Sequence, residues 1–300
     1  MTEILIVGAG PTGLTAALAA HRHGFRPRII ERRDALSPLS RAVGLLPSSI
    51  EIFETLGVAA AIRTEAIEVE KVAFMVNGER AATLALATDP DPTMRLLSLP
   101  QDRTEAILEA ALGERGIVVE YATPFESLAE VDGKVAVTAG GVTQAFHEVL
   151  GADGARSTVR TALGLEAKGF DLPEEWSIAD VDLETPLERM ARSYFDGPRS
   201  AVLVMPMGGR RARLVSNTPD ALKIFDNRMP VERVRRAGTF KISIRQVDRY
   251  RVGHVSLAGD AAHTHSPVGG RGMNLGIADA AEWADRLAAG TLDDYSTARH

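Results

Sequence analysis

Two glycine-rich turns stand near opposite ends of the 300-residue chain: GAGPTG, from Gly8 to Gly13, and GDAAHTHSPVGGRGMNLG, from Gly259 to Gly276. Each joins an apolar β-type run, EILIV or HVSLAG, to a helical pattern. A glycine turn between strand and helix lets backbone N–H groups approach an anion, and the helix N-terminus adds partial positive charge there. Two such cradles at opposite ends of one chain point to a single extended ligand held at several places, such as a dinucleotide with a large reactive ring. Gly8, Gly10, Pro11, Thr12 and Gly13 form the first cradle. Glu31, with Arg32 beside it, lies 21 positions after Gly10, near the roughly 20 at which an acidic residue accepts ribose hydroxyls. A carboxylate there repels a ribose 2′-phosphate, so an unphosphorylated adenosine, as in FAD or NAD, is expected.

The elements around these residues follow from their spacing. Leu14, Ala17, Leu18 and His21 recur at helical intervals after GAGPTG, and Gly24 ends that helix. Arg28 to Glu31 (RIIE) reads as the next strand and completes a βαβ unit. Residues 71 to 87 predict a hairpin around Asn77-Gly78, a dipeptide suited to a type I′ turn. A helix is expected around Leu108 to Ala111. Strands are expected at Ile117 to Tyr121 and over Lys134 to Leu150, the latter as a hairpin around Gly140-Gly141 that runs into GADGARS. From about 166 to 244 helix and strand cease to alternate. A hairpin of Ala201 to Pro206 and Arg211 to Ser216, a polar helical piece and the strand-like FKISI suit an antiparallel sheet inserted into the dinucleotide domain. The expected division is 1–70, 98–165 and 245–300 for the dinucleotide domain, with 71–97 and 166–244 forming the second. The fold class is α/β with a mixed α+β second region. No internal repeat or low-complexity tract is evident.

Composition narrows the function classes. A 45% hydrophobic chain of this length can bury a substantial core, and its net charge of −6 gives no basic excess for nucleic acid or an anionic membrane. The absence of cysteine excludes disulfides, thiolate metal sites and a cysteine nucleophile, and suits a cytoplasmic protein. No metal is expected. The uncharged run from residue 4 to 21 is broken by Gly8, Gly10, Pro11 and Gly13 and preceded by Glu3, which argues against a signal or membrane segment.

GAGPTG with Glu31, GADGARS at 151–157 and GDAAHTHSPVGGRGMNLG at 259–276, in that order, resemble the three fingerprints of the FAD-dependent aromatic hydroxylases, the para-hydroxybenzoate hydroxylase family of class A flavoprotein monooxygenases. The resemblance implies a Rossmann-like FAD-binding domain of the glutathione-reductase type with an inserted antiparallel-sheet substrate domain. It further implies that Asp153-Gly154 lies beside the dinucleotide. Asp260 would accept a ribityl hydroxyl, and Pro267 would lie against the flavin ring. The helix opening near Gly270, Gly272, Met273 and Asn274 would aim N–H groups at the pyrimidine end, stabilising reduced flavin by about 1 to 2 kcal/mol. Arg41 in RAVGLL and Gln101 in LPQDRTEAIL resemble family residues that reach the cofactor; the family often carries a further basic residue where this chain has Ser48. An alternative for Asp153 is capping of the short helix that follows.

The activity implied by the resemblance is NADH- or NADPH-dependent hydroxylation of an aromatic or similarly electron-rich molecule by dioxygen through a flavin hydroperoxide. The flavin carries the chemistry, so no catalytic side chain is expected. His263 and His265 are read as satisfied loop histidines, because no carboxylate-plus-nucleophile set accompanies them in sequence. Tyr194, Met205, Met207 and Arg213 are the expected substrate-pocket residues. A homodimer is compatible with the resemblance. A flavin reductase or dehydrogenase of the same FAD fold, or a non-catalytic flavin-binding protein, would share the cofactor motifs. Halogenation is disfavoured because WxWxIP is missing and Trp176 stands alone in EEWSIAD. Family members continue through further helices beyond the equivalent of Leu292 to His300, so a more open pocket is expected here.

Overall fold

The computed structural model describes residues 3–37, 42–86, 88, 91, 94–197, 200–225 and 228–300. Arg41 lies outside the described residues. The helices among them are α1 (Pro11–Arg22), α2 (Pro47–Thr55), α3 (Ala59–Glu65), α4 (Gln101–Glu114), α5 (Thr158–Ala162), α6 (Ala221–Phe225), α7 (Arg271–Ala289) and α8 (Tyr295–Arg299). No described helix is long and apolar enough to cross a membrane.

The first sheet has the order Arg251–Val252, Val255–Leu257, Glu148–Gly151, Glu3–Val7, Arg26–Ile30, Val119–Glu120. All its pairings are parallel except the one between Arg251–Val252 and Val255–Leu257. Ile4, Leu5, Ile6 and Val7 are all buried, as expected of a parallel strand covered on both faces. Helix α1 packs between this sheet, α4 and α7. Its Ala16, Ala17, Ala19 and Ala20 are buried, and alanine combines strong helix propensity with a side chain short enough for close approach.

The second sheet has eight strands in the order His263–Thr264, Val231–Val247, Ala167–Leu183, Arg211–Ser216, Ser200–Pro206, Met190–Asp196, Lys71–Val76, Glu79–Ala85. Only Met190–Asp196 with Lys71–Val76 is parallel. Asn77 (φ 50°) and Gly78 (φ 87°) form the expected left-handed turn of the 71–85 hairpin. FKISI is the end of a 17-residue strand, and the expected polar helical piece is α6. The hairpin over Lys134 to Leu150 needs correction. Lys134–Ala139 pairs with Val142–Phe146 on one side and Phe125–Val131 on the other in a separate three-stranded sheet, whereas Glu148–Gly151 leaves to join the parallel sheet. An unbroken run of β-forming residues conceals this exchange of partners at His147.

The three glycine-containing motifs converge on the start of α1. Gly8 has φ +107°, and a Cβ there would stand 2.4 Å from the Ala152 carbonyl oxygen, so only glycine lets this turn touch the strand end that carries Asp153. Thr12 occupies the space between Gly259 and Gly276. A Cβ on these glycines would lie 2.6 Å and 2.3 Å from its Oγ1. Gly276→Ala is therefore expected to cost about 1 to 3 kcal/mol by overpacking, read by urea denaturation. Thr12→Ala in the same chain should recover most of that loss. A double variant as unstable as Gly276→Ala would show that this contact is not the cause.

Candidate active site

The strand Glu3–Val7 ends under α1, whose N-terminus starts at Gly10 and Pro11 without a side-chain cap. Proline at the first turn sacrifices an N–H that has no intrahelical partner. A Cβ built on Gly10 meets nothing within 4 Å, and its φ of −81° suits any residue. Gly13 is the opposite case, since a Cβ there would stand 1.9 Å from the Gly8 carbonyl oxygen. The first glycine turn thus combines a tight inner wall with open space above uncapped N–H groups. This arrangement fits a phosphate of a dinucleotide.

Glu31 lies at the end of the neighbouring strand. Its Oε2 accepts the Ala9 N–H at 2.8 Å, its Oε1 accepts the Arg33 N–H at 3.0 Å, and Arg33 Nε stands 3.1 Å from Oε1. Burial would raise its pKa, but hydrogen bonds from Arg33 and the two backbone N–H groups hold it below the ordinary glutamate value. Glu31 is therefore a fixed anion. Arg32 is exposed, and Arg33 is the arginine that engages the site. Arg33 also faces the buried Glu105, at 3.9 Å from Oε2, and burial raises the Glu105 pKa. Gln101 opens α4, donating from Nε2 to Glu105 Oε1 at 2.8 Å and accepting the Ala42 N–H at Oε1. The sequence reading omitted Arg33 and Glu105. ERRD offers two arginines, and only the fold distinguishes them.

The second glycine-rich segment crosses between the sheets. Val255–Leu257 belongs to the parallel sheet, whereas His263–Thr264 pairs with Gln246 and Arg245 at the edge of the other. Asp260 is exposed directly after the first of these strands. Pro267 is half-buried and precedes Gly269 and Gly270, both left-handed. Helix α7 then begins at Arg271 without a side-chain cap, leaving the first-turn N–H groups of Gly272 and Met273 free of intrahelical partners. The Asn274 side chain has a structural task of its own. Buried, it accepts from Leu46 N–H and Ser49 Oγ at 2.9 and 2.7 Å, and donates to the Gly44 and Gly270 carbonyls. It ties α7 to the segment leading into α2.

At Asp153 the local alternative describes the carboxylate. Oδ1 accepts from Ser157 Oγ, while Oδ2 accepts from Thr158 N and Oγ1 and from Val159 N. These bonds satisfy the start of α5 and hold Gly154, with φ +82°, beside the first glycine turn. The four expected pocket residues separate onto two faces. Met205 and Arg213 are partners across adjacent strands, and Met205 and Met207 pack with Val43 and Ala191. Tyr194 lies on the opposite face with Phe225, Val202 and Leu214, so it does not share a pocket with the methionines. Arg213 is fully buried. It clasps Asp180 through Nε and Nη2 at 2.7 and 2.9 Å and donates from Nη1 to the Ala42 carbonyl at 2.9 Å, which makes it a strut between sheet and loop. Burial opposes the Asp180 charge, but Arg213 and Arg236 hold its pKa below the usual aspartate value.

The two histidines are held by hydrogen bonds, and one partner is a carboxylate that the sequence did not place beside them. His263 Nε2 is 2.6 Å from Asp279 Oδ2, and His265 Nε2 is 2.8 Å from His263 Nδ1. The missing carboxylate comes from α7, 16 residues downstream of His263.

The chain matches the FAD binding domain family over residues 1–221 and 216–299. It is 32% identical to a flavin-dependent monooxygenase of Mycobacteroides abscessus, over 95% of this chain and 67% of that one. It is 30% identical to pentachlorophenol 4-monooxygenase of Sphingobium chlorophenolicum, over 99% of this chain but 61% of the relative. The fold is similar to the p-nitrophenol 4-monooxygenase PnpA of Pseudomonas putida DLL-E4, with a TM-score of 0.88, 26% identity and coverage of 100% of this chain and 85% of that structure. With its three motifs meeting at one helix start, the chain belongs to the FAD-dependent aromatic hydroxylases of the para-hydroxybenzoate hydroxylase family.

Proposed function

We propose that this protein holds FAD across the meeting point of α1 and α7 and hydroxylates an aromatic or similarly electron-rich small molecule, with NADH or NADPH as hydride donor and dioxygen as oxidant. The observation that carries this reading is the packing of the uncapped start of α1 against the Gly259 turn and the second turn of α7, through Thr12, Gly259 and Gly276. One helix start suits the diphosphate and the other suits a flavin ring. When bound, FAD supplies the redox chemistry of hydride acceptance and oxygen activation.

The residues divide the binding work. Glu31, kept anionic by Arg33, takes the adenosine ribose. The turn from Gly8 to Gly13 accommodates the diphosphate over Gly10, Pro11 and Thr12. Asp260 receives the ribityl chain, Pro267 borders the ring, and the N–H groups of Gly272 and Met273 face its pyrimidine end. Gln101 is presented by Glu105 and the Ala42 N–H, while Asp153 shapes the turn at Gly154. Asn274 contributes by fixing the start of α7. Met205 and Met207, buried beside Val43, exclude water from the sheet side of the site, and a dry site strengthens every electrostatic contact within it. The reading extends to a cytoplasmic setting and a homodimeric assembly, the latter checked by size-exclusion chromatography.

The purified protein should show a bound-flavin spectrum and convert a member of a phenol panel to hydroxylated product with NADH or NADPH under oxygen. Absence of flavin binding would overturn the assignment. Oxidation of the nicotinamide yielding only peroxide, with every phenol recovered unchanged, would overturn hydroxylation. Gly10→Ala provides a sharper test, because its new methyl group meets no protein atom. Unfolding stability should stay within about 0.5 kcal/mol, while FAD affinity falls at least about tenfold, equivalent to ~1.4 kcal/mol, measured by flavin fluorescence quenching. Asp260→Ala should likewise weaken FAD retention, and an unchanged flavin content would remove Asp260 from the ribityl contact.

A further inference from the structure

One guanidinium stands between two buried carboxylates just beyond the strand Arg26–Ile30. Arg33 turns one edge of its fork to Glu31, with Nε 3.1 Å from Oε1 and Nη2 3.3 Å from Oε2. Both distances exceed the roughly 2.7 to 2.9 Å of a close charge-assisted hydrogen bond. The remaining nitrogen, Nη1, faces Glu105 on α4 and stops 3.9 Å from Oε2. The Glu105 side chain is only 2% exposed, and its Oε2 has no hydrogen-bond partner among the described residues. Its Oε1 accepts from Gln101 Nε2 at 2.8 Å. A buried acceptor left in this state is destabilising, so Glu105 attracts the guanidinium without yet holding it.

With Arg33 in place, the lone pairs of Glu31 are taken. Oε1 accepts the backbone N–H of Arg33 and faces its Nε, while Oε2 accepts the backbone N–H of Ala9 and faces Nη2. Each carboxylate oxygen offers two lone pairs. The backbone N–H groups are fixed by the chain, so a ribose diol donating to Glu31 must take the positions of the guanidinium. Arg33 is partly exposed and can shift, and Glu105 Oε2 lies about 1 Å beyond bonding distance. The other groups nearby offer no such seat. Gln101 already donates to Glu105, and Asp102 and Glu31 repel its charge. Tyr121, beside Arg33 and Glu31, is kept neutral by burial and by Glu109, which accepts its hydroxyl at 3.0 Å.

We propose that Glu105 is a second seat for the Arg33 guanidinium: as a ribose diol engages Glu31, Arg33 leaves Glu31 and its Nη1 closes on Glu105 Oε2. Glu105 is a positioning residue in this handover, which rests on the functional reading above for the ribose that reaches Glu31. Burial raises the Glu105 pKa, with Asp102 and Glu31 adding to the rise and Gln101 and Arg33 opposing it. Arrival of the guanidinium lowers it. A Glu105 protonated before binding therefore loses its O–H proton to the buffer as the ion pair forms. Glu31, whose pKa lies below the ordinary glutamate value, stays ionised. The new pair strengthens binding fully at pH above the unbound Glu105 pKa, itself above 4.5. That gain is lost as pH falls from there towards the bound value.

The test follows FAD affinity of the full chain across pH by flavin fluorescence quenching, for the wild type, Glu105→Gln and Arg33→Met. Glutamine at 105 keeps an oxygen for Gln101 and removes only the charge. Wild-type affinity should fall with pH by about tenfold for each unit by which binding lowers the Glu105 pKa. Calorimetry in two buffers of different ionisation enthalpy should show the matching proton release. Both variants should bind FAD with little pH dependence over the same range, since one lacks the titrating group and the other its partner. A flat wild-type profile, or a slope retained in either variant, would overturn the handover while leaving the cofactor assignment intact. Failure of the wild type to bind FAD would overturn the handover and the functional reading together. If a variant does not fold, 13C spectra of glutamate-labelled wild type decide: the Glu105 carboxyl should titrate at lower pH with FAD than without, and equal midpoints would overturn the proposal.

Discussion

The contact of Thr12 with Gly259 and Gly276 sets the architecture of the site. Two helices that begin in unrelated parts of the chain can pack this closely near their N-terminal ends only if no side chain intervenes where they meet. The glycines supply that absence. Because α1 follows a central strand of the parallel sheet and α7 follows a strand two places away, this approach also sets the distance between the two glycine-rich turns. Gly8 applies the same device in a third direction by admitting Ala152 and the Asp153 turn. The N-terminal ends of both helices carry partial positive charge, which favours an anionic ligand.

Around this steric seam the polar groups are arranged as fixed partners. Glu31 is committed to Ala9 and Arg33, Gln101 to Glu105 and Ala42, Asn274 to Gly44, Leu46, Ser49 and Gly270, and Asp279 to Gly259, His263 and Arg299. Few side chains must reorganise when a ligand arrives, which limits the ordering cost of binding. The same interactions join the elements of the fold, so preorganisation of the site and stability of the domain have common origins.

The sequence disclosed the features encoded locally. Asn77-Gly78 announces its turn by residue type, and GAGPTG with Glu31 announces a βαβ unit by spacing. The two 17-residue strands were harder to see. Ala167–Leu183 is mostly exposed over its first half, and it contains Pro173 at a register shift between Asp171 and Glu175, where a bulge tolerates proline. Only the apolar end of its partner, FKISI, stood out. Phe125–Val131 was hidden for the same reason, since most of its residues face solvent. Within the candidate site, the tightly packed backbone was readable because glycines mark it. Side-chain roles that depend on distant partners were not. Asp279 lies 16 residues from His263, Glu105 is 72 positions from Arg33, and the opposite facing of Tyr194 and Met205 follows from strand register.

The Arg213 strut also makes the two sheets interdependent as heritable units. Its guanidinium is anchored in the eight-stranded sheet by Asp180, yet it gives one donor to Ala42, a backbone carbonyl in the loop that also fixes Gln101. Exchange of the eight-stranded sheet for that of a relative would therefore transplant part of the Ala42 loop's support along with the sheet surface. A chimaera that omitted an arginine at this strand position would leave Asp180 buried beside Arg236 alone and the Ala42 loop without its brace. New substrate surfaces can be grafted onto this frame, provided that the graft carries its own anchor for the old loop.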